Sequence, residues 1–246
     1  MSAVPSYSSP MDAPLVPAFP VGYRDVSVVS ACYRSSPEAI AALVPEPVEV
    51  LGDVVMVHVY AMPDTDHFGA VCECNVMVGA RVGGVEGGYT TALYIDSDAG
   101  LALGREVHGQ PKKLAAPSLE HRGDLTVASV ERNGIDILTI TTPYKQRRAE
   151  LSELGEHFAF AENLNLKVVP GIDGTPGIAQ ITARRLADLV VHECWKAPAT
   201  VELRPNAQAP VWRLPVLEPL EAFFWRADFT LVPGRVVHDY LTYPAC

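Results

Sequence analysis

Basic side chains are few in this 246-residue sequence. Nineteen lysine and arginine residues stand against 29 aspartate and glutamate residues, which gives a formal net charge of −10 at pH 7. A surface with this excess of negative charge repels phosphate groups, so the composition argues against a general nucleic-acid or anionic-membrane surface. We therefore expect neither nucleic acid nor a membrane among the partners of this protein.

The sequence also lacks a dense cysteine framework and a long apolar run. Its five cysteines are scattered and odd in number, unlike the paired cysteines of small secreted domains. No uninterrupted apolar stretch approaches the roughly 20 residues that a membrane-spanning helix needs. Residues 1–22 contain five prolines but neither the charged start nor the apolar stretch of a signal peptide, and they are predicted to form an extended arm. We expect a soluble, cytoplasmic protein with reduced thiols.

Apolar side chains make up 48% of the sequence, enough for a substantial buried core. The run from Val54 to Met62 is rich in β-branched residues and too continuous for one helix face, which indicates a strand buried on both sides. Short runs of the same kind recur between Gly, Pro, Asp and Asn residues, at 71–82, 89–95, 125–130, 135–142, 164–169, 178–182, 201–203 and 222–232. We predict one domain over residues 23–246, a β-rich α+β fold whose core is a closed or nearly closed antiparallel β-barrel with a few flanking helices.

Local signals place two helices and one hairpin. The stretch Ser35-Ser36-Pro37-Glu38 places the serine and glutamate of a capping box ahead of an apolar segment that Pro45 ends, which predicts a short helix. A second short helix is predicted over residues 149–156. The Asn133-Gly134 pair supplies the positive φ angles of a tight turn and predicts a hairpin there.

The lysines are unevenly placed, because two of the five, Lys112 and Lys113, are adjacent. If the segment 104–115 is extended, neighbouring side chains point to opposite faces, so one amine enters an apolar interior while the other lies behind it. Burial and a nearby like charge both lower the pKa of a lysine and make its amine nucleophilic at neutral pH. The alternative is a solvated dilysine in a surface turn.

Several motifs recur together in one order along the chain. Gly104-Arg105-Glu106 is followed by Pro111-Lys112-Lys113-Leu114, and the flanking segments are Pro17-Ala18-Phe19-Pro20, Val44-Pro45-Glu46-Pro47, Tyr94-Ile95-Asp96, Asp173-Gly174-Thr175-Pro176 and Val191-His192-Glu193-Cys194-Trp195. This set closely resembles the acetoacetate decarboxylase family over roughly residues 14–241. The resemblance implies a β-barrel-like fold with flanking helices, a homo-oligomeric enzyme and no metal or organic cofactor.

The resemblance also implies a catalytic role for three residues. In this family the first lysine of the pair forms an imine with a ketone substrate, which assigns that role to Lys112. Lys113 is then the neighbour that lowers the pKa of Lys112. Activation of a lysine by a second cation is known in acetoacetate decarboxylase. Glu73 matches the acidic residue near the imine, where a carboxyl group orients substrate or moves a proton. From the strand pattern alone, Glu73 would instead be an outward-facing carboxylate between Cys72 and Cys74. That Cys-x-Cys pair has no second half, so we predict no metal site.

The sequence departs from the family where a charged pair is expected. Val26 stands at the position of an arginine, and His58 stands where the family has a glutamate. Arg24 lies on the same face as Val26 if the segment is extended, which makes it a possible substitute. Gln110 replaces an expected aromatic residue directly before the lysine motif. These changes predict weak activity on acetoacetate itself.

The remaining candidates lie in or beside the lysine segment. Arg105 and Glu106 are predicted to form a structural pair that braces this segment, with contact to the substrate as the alternative. We include both with His58 and Gln110 in the predicted substrate-binding set.

Three functions are compatible with the sequence. The first is decarboxylation of a 3-oxo acid through a Lys112 imine. The second keeps the imine but joins a 2-oxo acid such as pyruvate to an aldehyde with loss of water. The departures from the family at Val26, His58 and Gln110 are compatible with this reaction. The third is a binding barrel for a small carbonyl compound, which the presence of Lys112, Lys113 and Glu73 argues against.

Overall fold

The structure is a computed structural model that describes residues 8–242. Within this range, strands form two sheets, one of ten strands and one of four. In chain order the strands are β1 (Val21–Arg34), β2 (Glu49–Thr65), β3 (Gly69–Val82), β4 (Val85–Ile95), β5 (Lys112–Leu114), β6 (Ala116–Arg122), β7 (Leu125–Arg132), β8 (Ile135–Pro143), β9 (Arg147–Arg148), β10 (Glu162–Pro170), β11 (Pro176–Pro198), β12 (Thr200–Leu203), β13 (Glu218–Leu231) and β14 (Arg235–Asp239). The prediction of a strand-rich fold is confirmed.

Seven strands of the larger sheet close into a ring. Neighbouring strands pair in the order β10, β11, β13, β1, β2, β3 and β4, and β4 returns to β10 where Asn163 lies opposite Gly88. The β4–β10 and β4–β5 pairings are parallel, whereas the other pairings around the ring are antiparallel. The predicted closed core is therefore confirmed, with these two parallel pairings as the departure from a purely antiparallel arrangement.

Strand alternation gives the ring two buried faces. Along β3, Cys74 and Val76 pack into a core shared with the smaller sheet of β6, β7, β8 and β12. The alternate residues Glu73 and Asn75 point to the other face and line cavities inside the ring. Residues 54–62 of β2 alternate in the same way, which explains why that run is apolar on both faces. The functional side chains of the ring lie on its inner face.

The two predicted helices are present and short. Helix α1 (Pro37–Ala41) begins after Ser36, whose Oγ accepts a hydrogen bond from the backbone N–H of Ala39 at 3.2 Å. The Ser36 hydroxyl itself donates to the Glu38 carboxylate at 2.6 Å, so the N-cap forms without the reciprocal half of the predicted box. Helix α3 (Leu151–Leu154) is the second predicted helix, with fewer residues than expected.

The predicted hairpin joins β7 to β8. Asn133 and Gly134 adopt φ angles of 55° and 76°, the left-handed conformation that a two-residue hairpin turn requires. Arg132 and Ile135 face each other across the end of the ladder. The hairpin extends the smaller sheet over the ring.

One helical segment departs from the sequence analysis. Helix α2 (Asp98–Ala102) runs directly into a π-helical turn (Leu103–His108), so the first part of the segment 104–115 is helical rather than extended. The side chain of Ser97 caps this helix by accepting from the Gly100 N–H at 3.1 Å. Only β5 retains the extended conformation, and it contains both lysines.

The N-terminal arm is only partly described. Residues 1–7 of the predicted arm lie outside the described residues, and residues 8–20 contain neither helix nor strand. Val16 is buried there and packs in a small cluster with Leu103 and Leu231. The division of the chain into an arm and one domain stays a prediction.

Candidate active site

Lys112 is the first residue of β5, and its side chain enters the interior of the ring. β5 runs parallel to β4, with Lys112 opposite Leu93. The side chain of Lys112 is 6% exposed. The next residue points the other way, and the Nζ of Lys113 donates to the backbone oxygen of Gln208 at 2.7 Å. The structure therefore separates the two lysines onto opposite faces of the strand.

The buried amine of Lys112 has two oxygen partners. Its Nζ lies 2.8 Å from Oε2 of Glu73 and donates to the backbone oxygen of Gly100 at 3.0 Å. Glu73 is 12% exposed at its side chain, so both charged groups are removed from water. A buried charge is costly unless it is paired, so each group stabilises the charged form of the other. Glu73 thus lies inside the ring beside the amine, and the outward-facing alternative is wrong.

Two glycines make room for this arrangement. A Cβ at Gly104 would lie 2.4 Å from Cδ of Lys112, so only glycine lets the lysine side chain pass the π-helical turn. Gly109 ends that turn at φ +77°, and a Cβ there would lie 2.5 Å from the Cα of Lys167. Both glycines are therefore required by close approach of neighbouring chain segments.

Burial has the largest effect on the Lys112 amine and lowers its pKa from the usual value of 10.5. Glu73 opposes this effect by stabilising the ammonium form, and the positive charge of Arg184 lowers the pKa further. The Lys113 amine leaves the strand on the opposite face, as the sequence predicts, and its role in lowering the pKa of Lys112 stays a prediction. Arg184 is a second cation among the described residues that lowers this pKa.

A small cleft opens onto the Lys112 side chain. Its polar residues are Glu73, Gln110, Lys112 and Arg184. Its other residues are aromatic or aliphatic: Tyr23, Tyr60, Met62, Leu186, Phe229 and Leu231. An apolar cleft with a few convergent polar groups is the usual form of a small-molecule site.

Arg184 is a site residue that the sequence analysis missed. It belongs to β11, where the apolar run that indicated a strand ended at residue 182. Its side chain lines the cleft, and its buried Nε has no hydrogen-bond partner among residues 8–242. The only signal was its place two residues beyond the predicted strand end, on the same face as Thr182. An unpaired guanidinium beside the amine is suited to bind a carboxylate.

His58 lies in a second cavity beside the first. This second chamber shares Tyr60, Arg184 and Leu186 with the cleft, and its other lining residues are His58, Asn75, Met77, Phe160, Ala161, Asn163, Leu189 and Trp225. Nδ1 of His58 is 2.7 Å from Oγ of Ser30. Complete burial lowers the pKa of His58 from 6.5 to about 3, so its ring is neutral at ordinary pH. The structure thus places His58 next to the amine site rather than in it.

Gln110 is in the cleft, as the sequence analysis predicts for a substrate-binding residue. Its side chain is 3% exposed overall, and its Nε2 donates to Oδ1 of Asn163 at 3.4 Å. Asn163 in turn donates to Oγ1 of Thr90 at 2.6 Å. This chain of amides fixes the position of Gln110 and links the cleft to the second chamber.

Arg105 and Glu106 do not line the cleft. Arg105 donates through Nη1 to the backbone oxygen of Lys112 at 3.2 Å, so it does brace the lysine segment. Both residues border a separate surface groove with Pro111 and Leu166, and no ion pair joins them in the described part of the chain. Arg105 thus braces the segment without an ion pair to Glu106, and contact of either residue with a substrate stays a prediction, although the π-helical turn leaves both outside the lining of the Lys112 cleft.

Arg24 does not replace an arginine at Val26. The pairing of β1 with β13 is irregular between Tyr23 and Val26, which breaks the alternation assumed for an extended segment. Arg24 is exposed and forms ion pairs with Asp64 and Asp66 at 3.2 and 2.7 Å. Val26 is fully buried among apolar residues. The positive charge of the cleft instead comes from Arg184 on β11.

Three properties of the described residues bear on other predictions. Between residues 8 and 242, no group of three or more histidine, cysteine, aspartate or glutamate side chains is arranged to hold a metal ion. No helix in the same range has the length and apolar character needed to cross a membrane. Cys32, Cys72, Cys74 and Cys194 are free thiols, and Cys246 lies outside the described residues.

Comparison with known proteins gives consistent matches over nearly the whole chain. The family model described as acetoacetate decarboxylase matches residues 3–241. Acetoacetate decarboxylase 3 of Mesorhizobium japonicum is 37% identical over 237 residues, which cover 96% of this chain and 92% of the relative. Acetoacetate decarboxylase of Bordetella avium is 40% identical over 228 residues and 92% of each chain.

Solved structures show the same fold. Acetoacetate decarboxylase from Legionella pneumophila superposes with a TM-score of 0.88 at 33% identity, covering 93% of this chain and 91% of the other. The enduracididine biosynthesis enzyme MppR, solved with pyruvate among other ligands, shares the fold at a TM-score of 0.79 but only 15% identity, with coverage of 95% and 98%. From the family match and these relatives, the chain belongs to the acetoacetate decarboxylase family.

Proposed function

We propose that this protein is a carbon–carbon lyase that decarboxylates a 3-oxo acid through an imine at Lys112. The observation on which this rests is the buried amine, held 2.8 Å from Glu73 in a cleft that also contains the unpaired Arg184. Family membership supports the same reaction, since relatives more than 35% identical over most of the chain are named acetoacetate decarboxylases.

The reaction begins at the neutral amine of Lys112. The amine attacks the ketone carbon to form a carbinolamine, which loses water and leaves a protonated imine. The bond between the carboxylate carbon and its neighbour then breaks, carbon dioxide leaves, and the electron pair enters the new enamine. The carbon that lost the carboxylate takes up a proton. Water finally hydrolyses the imine, which releases the ketone and restores the amine.

Glu73 is the group placed to move protons in this sequence. Its carboxylate contacts the Lys112 amine, so it can accept the proton released when the carbinolamine forms and return one to the enamine carbon. No other carboxylate lines the described part of the cleft. We therefore assign general acid–base catalysis to Glu73.

Arg184 is the group placed to bind the carboxylate of the substrate. Its guanidinium lines the cleft without an anionic partner among the described residues, and it opposes protonation of Lys112. The apolar residues around it, among them Leu186 and Phe229, favour loss of the carboxylate as neutral carbon dioxide. In this scheme Lys112 reacts with the ketone, Glu73 moves the proton and Arg184 binds the carboxylate.

The alternative aldol-type reaction has weaker support. The neighbour solved with pyruvate is 15% identical to this chain, so its likeness extends to the fold alone. A binding role without turnover does not explain a buried amine paired with a carboxylate in a family whose named members are decarboxylases. The names of the relatives make acetoacetate the first substrate to test.

We also propose that the protein forms a homo-oligomer and is located in the cytoplasm. Scattered free thiols support a reducing compartment. Light scattering on the purified protein tests the assembly, and a monomer over a wide concentration range would contradict it.

Carbon dioxide release tests the reaction. The protein is incubated with acetoacetate, 3-oxohexanoate and 3-oxooctanoate, and separately with pyruvate and an aldehyde. We expect carbon dioxide from at least one 3-oxo acid and none above background with Lys112→Gln. Lys145→Gln is the matched control, because Lys145 pairs with Glu193 away from the cleft. A condensed enone from pyruvate, with no carbon dioxide from any 3-oxo acid, would establish the aldol-type alternative instead.

A further inference from the structure

Two tyrosine hydroxyl groups line the Lys112 cleft without a hydrogen-bond partner within residues 8–242, those of Tyr23 and Tyr60. Glu73 contacts the Lys112 amine at 2.8 Å, and Arg184 is placed to bind the carboxylate of the substrate. Loss of water from the carbinolamine also needs a donor for the departing oxygen. A phenol is a hydrogen-bond donor, so either tyrosine has the chemistry for this step.

Tyr60 lies at the level of Glu73 in the wall of the ring. The two residues are directly opposite each other in the ladder between β2 and β3. Residues at opposite positions of antiparallel strands point to the same face, with Cβ atoms roughly 4.5–5.5 Å apart. Tyr23 instead pairs with Thr65, five residues after Tyr60 on β2. Tyr60 is therefore the tyrosine beside the group that holds the amine.

The Tyr60 hydroxyl is available to donate a proton. The hydroxyl of a buried tyrosine usually has a hydrogen-bond partner, whereas that of Tyr60 has none within residues 8–242. It is not one of the fully enclosed polar atoms, and Tyr60 lines both the cleft and the second chamber. Burial and the negative charge of Glu73 raise the pKa of Tyr60 from 10.0, so the phenol keeps its proton at ordinary pH.

A neighbouring ring holds the Tyr60 side chain in place. The ring of His58 lies 5.7 Å from that of Tyr60, centroid to centroid, at an angle of 39°. His58 is itself fixed by Ser30, whose Oγ is 2.7 Å from Nδ1. A donor held in this way needs little rearrangement when charge develops on the oxygen of the substrate.

We propose that Tyr60 is a further catalytic residue, whose hydroxyl gives its proton to the oxygen that leaves the carbinolamine as water. This inference rests on the imine proposed above and assigns its dehydration step. The nitrogen lone pair forms the C=N bond while the C–O bond breaks, and the electron pair of the C–O bond leaves with the oxygen, which takes the phenol proton. Glu73, protonated when the carbinolamine formed, returns a proton to the phenolate. Hydrolysis of the imine follows the same steps in reverse.

Exchange of a ketone oxygen with water tests this role without decarboxylation. Acetone and 2-heptanone are incubated with the protein in water labelled with oxygen-18, because each cycle of imine formation and hydrolysis replaces the ketone oxygen. We expect exchange in the wild type and none above background in Lys112→Gln. Tyr60→Phe should lower the exchange rate at least tenfold. Tyr144→Phe is the matched control and should keep the wild-type rate, because Tyr144 packs against His121 outside the lining of both cavities.

Deuterium uptake separates a catalytic role of Tyr60 from support of Glu73 or of the fold. In deuterium oxide the ketone takes up deuterium through the enamine, a step assigned to Glu73. Tyr60→Phe slows both formation and hydrolysis of the imine, so each imine lasts longer and should take up more deuterium per oxygen exchanged than in the wild type. Glu73→Gln should lower this ratio. A ratio in Tyr60→Phe that does not rise would refute the catalytic role.

The outcomes distinguish this inference from the proposed reaction. Carbon dioxide release by the wild type, with equal oxygen exchange in the wild type and Tyr60→Phe, would refute Tyr60 as the donor and leave the decarboxylation intact. A larger loss of exchange in Tyr23→Phe than in Tyr60→Phe would also refute it. Absence of oxygen exchange in the wild type would overturn the inference together with the imine on which it rests.

Discussion

Replacing Arg184 with methionine removes the positive charge of the cleft while keeping an unbranched, apolar side chain of similar length. Two effects should follow, since Arg184 is placed both to bind the substrate carboxylate and to oppose protonation of Lys112. The first effect concerns substrate binding, and the second concerns the pH at which the Lys112 amine becomes neutral.

The effect on binding follows from the unpaired guanidinium. A hydrogen bond to a charged group contributes about 1.5–3 kcal/mol, which corresponds to a roughly 10- to 100-fold rise in KM. The carboxylate loses its charge as carbon dioxide leaves, so the contact is weaker in the transition state than in the bound substrate. For this reason the loss of the contact should raise KM without lowering kcat at a pH where the Lys112 amine is neutral.

The effect on pH has a definite sign. A nearby cation lowers the pKa of Lys112, so removing Arg184 raises that pKa. Imine formation needs the neutral amine, and the acid limb of the kcat/KM profile should therefore move to higher pH. The comparison variant is Lys113→Met, whose amine lies on the opposite face of β5 and donates to Gln208. It should move the limb less than Arg184→Met does. A larger shift in Lys113→Met, or an unchanged limb and KM in Arg184→Met, would refute the assignment of Arg184.

Three further substitutions test the site and its support. Glu73→Gln should lower kcat roughly a hundredfold or more, the usual range for loss of an acid–base group. The thermal midpoint should change little or rise, because the neutral Lys112 amine needs no counter-ion. Normal turnover would exclude Glu73 from proton transfer. Gly104→Ala should lower kcat roughly a hundredfold with only a small loss of stability, because its Cβ displaces the flexible end of the Lys112 side chain rather than backbone; full activity would show that the lysine can pass an alanine. Ser36→Ala should lower the free energy of unfolding by about 1 kcal/mol in a denaturant titration and leave kcat unchanged, and an equal stability to the wild type would argue against the N-cap of α1.

Strand alternation accounts for most of what the sequence could predict about the site. Lys112 and Lys113 leave β5 on opposite faces, because side chains alternate wherever the chain is extended. The turn at residues 133–134 was equally predictable, since it depends on two adjacent residues. These features depend on residues that are adjacent in the chain, so they can be predicted from the sequence. Alternation alone chose the wrong face for Glu73, and only the family resemblance placed its carboxylate beside the amine.

Contacts between distant strands were not predictable in this way. Arg184 enters the cleft from β11, about seventy positions after Lys112, and only the closure of the ring brings the two together. The prediction that Arg24 substitutes for an arginine at position 26 failed for a local reason. The pairing of β1 is irregular near Asp25, whose φ is 54°, and Arg24 pairs with Asp64 instead. Strand propensities do not reveal such an irregularity. The π-helical turn was missed because its glycines and short apolar run are also typical of a loop.

The central claim is that Lys112 forms the covalent imine. The protein is incubated with a 3-oxo acid that it turns over, trapped with borohydride, digested, and mapped by mass spectrometry. We predict one adduct, with the mass of the reduced product ketone, on the peptide that contains Lys112. An adduct on Lys113, Lys145, Lys167 or Lys196, or turnover without any trapped adduct, would contradict the account.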